Sequence, residues 1–212
     1  MSNKFIHVHR SSNEKAKKHP LVVLLHGYGS NENDLFSFQS FFPKNHTIVS
    51  FRAPLTVFEG MYAWYEIYFE NNVKSFNENT AKNSSNEIAD EIKAICKQYN
   101  CDINNITLIG FSQGAILGYS IAISNPGLIK NLVALSGYVE EKIIDFKNKK
   151  IDTSIYISHG ESDEVIPYLE SKQTLDVLDK NEIKYNYKSF NQGHGVNQEN
   201  LKSFLDWLKD KY

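Results

Sequence analysis

Short apolar runs alternate with helix-length amphipathic segments along the whole chain. The runs at 21–25, 47–51, 106–109, 132–135 and 154–158 are nearly continuous in apolar or β-branched residues. Strands covered on both faces have this composition. Between them lie helical patterns: over 86–99, Ile88, Ile92 and Ile95 form one stripe, with Glu87, Glu91 and Lys93 off it. Residues 169–180 and 199–211 behave similarly, and 115–123 is apolar almost all round. The pattern predicts an α/β architecture with a mostly parallel central sheet and helices on both faces. Residues 4–10 add a first strand and 185–190 a last one.

The least periodic part is 53–85, an aromatic-rich insertion. It holds Phe58, Tyr62, Trp64, Tyr65, Tyr68 and Phe69, followed by an Asn-rich stretch. A long insertion in a compact domain is more often functional than idle. We expect the aromatic half to form a pocket wall, with Trp64 and Tyr65 binding substrate, and the Asn-rich half to be surface. An aromatic satellite core beneath a long loop is the plain alternative.

Composition narrows the class. The 212 residues are 41% hydrophobic and 23% charged, which excludes a disordered or collagen-like chain. A chain this size buries roughly 70% of its unfolded surface, so it is read as one domain over residues 1–212, without disulfide or metal staples. The net charge of −2 supplies no broad attraction for nucleic acid or anionic lipid. No stretch approaches the length of a membrane span, and the first twenty residues lack a signal-peptide core. A cytoplasmic location follows as the expectation, so three Asn-x-Ser/Thr sequons are read as chance matches. Cys96 and Cys101 fit no zinc pattern and are expected to be reduced.

The chemistry gathers at three places. Gly110-Phe-Ser-Gln-Gly114 follows a strand pattern and opens a helix pattern, so Ser112 should sit on a tight turn with its hydroxyl outward. Glycines on either side let strand and helix approach closely. A hydroxyl needs a general base, and the base needs an acid to orient it. Asp163 follows the strand ending near residue 158, and His194 follows the strand ending near residue 190. Nucleophile, acid and base therefore fall beyond the carboxyl ends of strands, in the chain order of α/β-hydrolases. Glu161 and Glu164 are rival acids. His26 and His159 suit buried structural roles, whereas His7, His9, His19 and His46 should be solvated. His194 lies between two glycines on a loop expected to be mobile. The backbone N–H groups of Gln113 and Tyr28 are candidates for an oxyanion hole, the latter in a glycine-flanked loop after the strand at 21–25.

These segments, Leu25-His-Gly-Tyr-Gly, Gly110-Phe-Ser-Gln-Gly114, His159-Gly-Glu-Ser-Asp-Glu-Val-Ile-Pro167 and Gly193-His194, together resemble the phospholipase/carboxylesterase family. That family includes acyl-protein thioesterases and small bacterial carboxylesterases. Arg52-Ala-Pro54, Gly60 and Trp64-Tyr65 extend the resemblance, which covers nearly everything after residue 20. It implies an α/β-hydrolase fold, a Ser112–Asp163–His194 triad and oxyanion donors at Tyr28 and Gln113, with neither cofactor nor metal. The implied partner is a small-molecule acyl ester, and a homodimer is compatible with it. The chain departs from many members in having Ala115 where they have a second glycine. It also lacks a recognisable acyl-channel loop, which points toward small, moderately apolar acyl esters. Alternatives are thioesterase or lysophospholipase activity, acyl transfer at the same site, and a non-catalytic binding domain.

Overall fold

The computed structural model describes residues 3–14, 17–70, 73–147 and 151–211. In chain order the elements are β1 (His7–Arg10), β2 (His19–Leu25), β3 (Thr47–Phe51), β4 (Leu55–Phe58), β5 (Met61–Ala63), β6 (Ile67–Glu70) and β7 (Val73–Phe76). There follow α1 (Glu78–Gln98), β8 (Cys101–Phe111), α2 (Gln113–Ser124), β9 (Asn131–Leu135), β10 (Ser154–Gly160), α3 (Tyr168–Lys180), β11 (Tyr185–Phe190) and α4 (Gln198–Lys209). Seven strands form one sheet in the order β1-β3-β2-β8-β9-β10-β11, parallel except for β1 against β3. This is an α/β-hydrolase sheet.

The continuous apolar runs have a direct cause. Along β2, Leu21, Val23 and Leu25 pack into the core on the side of α1 and α2, while Val22 and Leu24 join Phe204 and Leu208 of α4 on the other. Both faces of the strand are dry, so the alternation of an exposed strand is missing. No helix among the described residues is long and apolar enough to cross a membrane.

Three expectations need correction. The helix expected from residue 86 begins at Glu78, capped by Asn77, whose side chain accepts from the Thr80 N–H at 3.1 Å. Its first turns bury Ala81, Ser84 and Ser85, so the later part of the Asn-rich stretch is not surface. The Ser84 hydroxyl donates to Trp64 O at 2.6 Å, and that of Ser85 to the Ser120 hydroxyl at 2.9 Å. Small hydroxyls continue the buried stripe where a hydropathy pattern sees only polarity. Glu91 is likewise buried, and its carboxylate accepts from the Lys4 N–H at 3.0 Å. Residues 71 and 72 and the side chain of Phe69 lie outside what is described.

His19 and His46, expected in solvent, are buried. The His19 Nε2 pairs with the Thr47 hydroxyl at 2.8 Å. Burial, then the charges of Arg10 and His19, lowers the His46 imidazole to about 4. Burial also lowers His26. Between pH 6.5 and 4 the unfolded chain therefore binds a proton at His46 that the folded chain refuses, and His26 acts in the same direction. The His46 contribution to stability is full above about pH 6.5 and is lost as the pH falls toward 4, by up to about 1.4 kcal/mol per pH unit. Urea midpoints at pH 7 and pH 5 should show the loss, and His46→Gln should flatten it; an unchanged slope in that variant would contradict this account.

Candidate active site

The turn from β8 into α2 places Ser112 at φ 53°, ψ −117°, a left-handed conformation that side chains adopt only under constraint. The constraint is visible. The Ser112 N–H donates to Leu135 O at 2.9 Å, and the carbonyl accepts from Ala115 N and Ile116 N. A Cβ on Gly110 would stand 2.3 Å from Gly114 O, and one on Gly114 would stand 2.2 Å from Leu25 O. Glycine at both positions is thus a spatial requirement. Ala115 has its own compensation: a Cβ on Gly137 would lie 2.6 Å from the Ala115 methyl, so the missing side chain is on the neighbouring loop.

His194 and Asp163 meet this serine. His194 Nε2 lies 3.0 Å from Ser112 Oγ, and His194 Nδ1 lies 2.7 Å from Asp163 Oδ2. Asp163 is buried, and its Oδ1 accepts from Val165 N and Ile166 N, each at 2.9 Å. With the carboxylate as acceptor, Nδ1 carries the imidazole proton and Nε2 is free to accept from the serine. Glu161 instead takes the Ser189 hydroxyl on an exposed surface, and Glu164 is exposed. The His194 loop, expected to be mobile, is braced: the Gln192 amide donates to Gly195 O at 2.6 Å and accepts from Asn197 N at 2.9 Å. The Phe111 ring packs against the imidazole at 4.8 Å between centroids.

His159 and His26 are fully buried. His159 Nε2 bonds Ile166 O at 2.8 Å and stands 3.5 Å from Asp163 Oδ2, behind the acid. His26 accepts from Ala53 N at 3.1 Å and bonds Gly27 O at 2.7 Å, which holds the loop carrying Tyr28. A Cβ on Gly27 would fall 3.2 Å from Ser112 Cβ, so this loop lies against the serine. Among the described residues, neither the Tyr28 N–H nor the Gln113 N–H donates to the protein. The second begins α2, where helix N–H groups lack intrahelical acceptors.

The insertion makes two hairpins, β4–β5 and β6–β7. The first holds the Tyr28 loop: Gly29 N donates to Tyr62 O and Tyr62 N to Ser30 O, both at 2.8 Å. Arg52 stacks on Tyr62 and forms a bidentate pair with Glu32, which lowers that carboxyl. The expected wall divides. Tyr65 lines the cavity above Ser112, whereas Trp64 does not. Trp64 is a core residue, 1% exposed, with its indole N–H on His26 O at 2.9 Å and its ring against Phe5. Sequence reasoning also missed the Gln113 side chain. Its amide accepts from Trp64 N at 2.8 Å and donates to Tyr65 O at 2.9 Å, tying the insertion to the serine turn. Among the described residues, no three or more His, Cys, Asp or Glu side chains are gathered as a metal site.

Residues 8–211 match the phospholipase/carboxylesterase family. The chain belongs to that family. The acyl-protein thioesterase 1 of Candida albicans is 31% identical over 172 residues, covering 75% of this chain and 74% of that protein. Among solved structures, the Bacillus cereus carboxylesterase is similar with a TM-score of 0.84 at 23% identity, covering 99% and 95% of the two chains. The Zea mays acyl-protein thioesterase 2 has a TM-score of 0.76 at 18% identity, covering 97% and 98%. Membership of the phospholipase/carboxylesterase family makes the protein a hydrolase, and the Ser112 turn is where its sheet, helix and loops converge.

Proposed function

We propose that the protein hydrolyses carboxylic esters of small to medium acyl groups through an acyl-enzyme on Ser112. The observation that carries this is the 3.0 Å and 2.7 Å relay from Ser112 through His194 to Asp163. His194 Nε2 removes the hydroxyl proton as Oγ attacks the acyl carbonyl. The oxyanion rests on the N–H groups of Tyr28 and Gln113, aided by the positive end of α2. His194 then protonates the leaving alcohol, and water repeats the sequence on the acyl-serine to release the acid. Asp163 keeps the imidazole in the required tautomer and stabilises its cation. Tyr65, Ile67 and Phe76 line the cavity and suit an apolar part of the substrate.

The thioesterase name of the Candida albicans relative favours thioesters as a second substrate class; a thiolate leaves through the same steps. A fluorophosphonate probe should modify Ser112 stoichiometrically and stop turnover, with peptide mass mapping to locate the adduct. A folded protein left unlabelled would point to a binding domain and sink the proposal.

A further inference from the structure

The cavity above Ser112, about 710 Å³, is not uniformly apolar. Among the described residues, besides its aromatic wall it is lined by Glu78, Glu140 and Glu170, with Lys142 and the His194 imidazole as its basic side chains. Lys142 is already engaged, its Nζ 2.8 Å from Glu78. Glu140 and Glu170 form no ion pair among the described residues, and Glu140 is half-buried beside the Lys142 backbone N–H at 3.3 Å. The neighbouring groups register the resulting field. Burial, with Glu78 and Glu170 adding to it, holds the Glu140 carboxyl above the ordinary range against the pull of Lys142. Burial first, then Glu140 and Glu170, pushes the Tyr138 hydroxyl up to about 12. Tyr65, deep in the wall, is raised by burial and then by Tyr138 and Glu140.

A partly desolvated, unpaired carboxylate in an occupied cavity costs free energy unless the ligand brings the opposite charge. Tyr65, Phe76 and Tyr138 line the same cavity, and aromatic rings attract cations through their quadrupoles. A cavity built only for alkyl chains gains nothing from these carboxylates. Resting on the ester-cleaving reading above, we infer that the substrate carries an ammonium-type cation remote from the scissile carbonyl, bound between Glu140, Glu170 and these rings. The charge selects among esters; the chemistry at Ser112 is unchanged.

The test uses two isosteric pairs with the intact protein. On the alcohol side, butyrylcholine is compared with 3,3-dimethylbutyl butyrate. On the acyl side, the p-nitrophenyl ester of 5-(trimethylammonio)pentanoate is compared with that of 6,6-dimethylheptanoate. Each kcat/KM is divided by the hydroxide-catalysed rate of the same ester, which removes intrinsic reactivity. In at least one pair the cation should be preferred about tenfold or more. That ratio should shrink with added salt, collapse toward unity in Glu140→Gln/Glu170→Gln, and reverse in Glu140→Lys. Turnover of the neutral ester shows that each variant is folded. Hydrolysis of the neutral esters with no cation preference in either pair would overturn the inference and leave the ester-cleaving reading intact. Failure to turn over any ester, together with no fluorophosphonate labelling, would overturn both.

Discussion

Replacing Ser112 by alanine should lower kcat for short p-nitrophenyl esters by about 10⁴-fold or more while the protein stays folded. The proposed mechanism allows no substitute nucleophile: among the described residues His194 Nε2 bonds only the Ser112 hydroxyl, at 3.0 Å, and Asp163 is occupied in holding the ring. A second substitution separates chemistry from backbone strain. Residue 112 sits at φ 53°, where a Cβ is unfavourable and glycine is not. Ser112→Gly should therefore be as inactive as Ser112→Ala yet more stable than it by about 1 kcal/mol in urea unfolding. That difference would locate strain at the reactive residue, held by Leu135 O and the first turn of α2. Wild-type hydrolysis by Ser112→Ala would end the proposal, and equal stability of the two variants would end the strain argument.

The other large effect is on folding. Gly114→Ala should destabilise by about 3 kcal/mol or more, because the added methyl would stand 2.2 Å from Leu25 O and 2.8 Å from His26 O. Both neighbours are backbone, so relief requires moving the end of β2 and with it the loop that carries Tyr28. Activity should fall with stability, since that loop is the proposed oxyanion donor. Gly195→Ala is the control. Nothing lies within 4 Å of a Cβ there, so its stability should stay within about 0.5 kcal/mol of the wild type. A Gly114→Ala protein as stable as this control would show that α2 can withdraw from β2 without penalty.

Much of the sheet was legible because its inner strands are dry on both sides, while the edge strand β11 alternates between half-buried and exposed positions. The runs at 47–51 and 185–190 coincide with β3 and β11, and the other strand readings lie within or overlap observed strands. The three positions proposed for catalysis were legible for a different reason: each follows a strand and carries a residue type with few alternative uses at such a turn. What escaped was burial by polarity. Ser84, Ser85 and His19 are buried where hydroxyls or carbonyls on other elements pair with them, and periodicity carries no record of those partners. Trp64 and Tyr65 are adjacent and both aromatic; only Tyr65 lines the cavity, with the Gln113 amide gripping the backbone of the pair.

The sequence by itself determined the order of the main sheet's strands and of the four α-helices, the glycines that let them close up, and the three residues proposed as nucleophile, base and acid. These depend on local pattern, spacing and chemical type, which a linear chain carries in full. Only the tertiary structure decided that the insertion braces the Tyr28 loop, that Tyr65 lines the cavity while its neighbour Trp64 is core alone, and that two carboxylates with no ion pair among the described residues share the cavity of Ser112. Each of these depends on distances between segments far apart in the chain. Burial and charge pairing are properties of those distances.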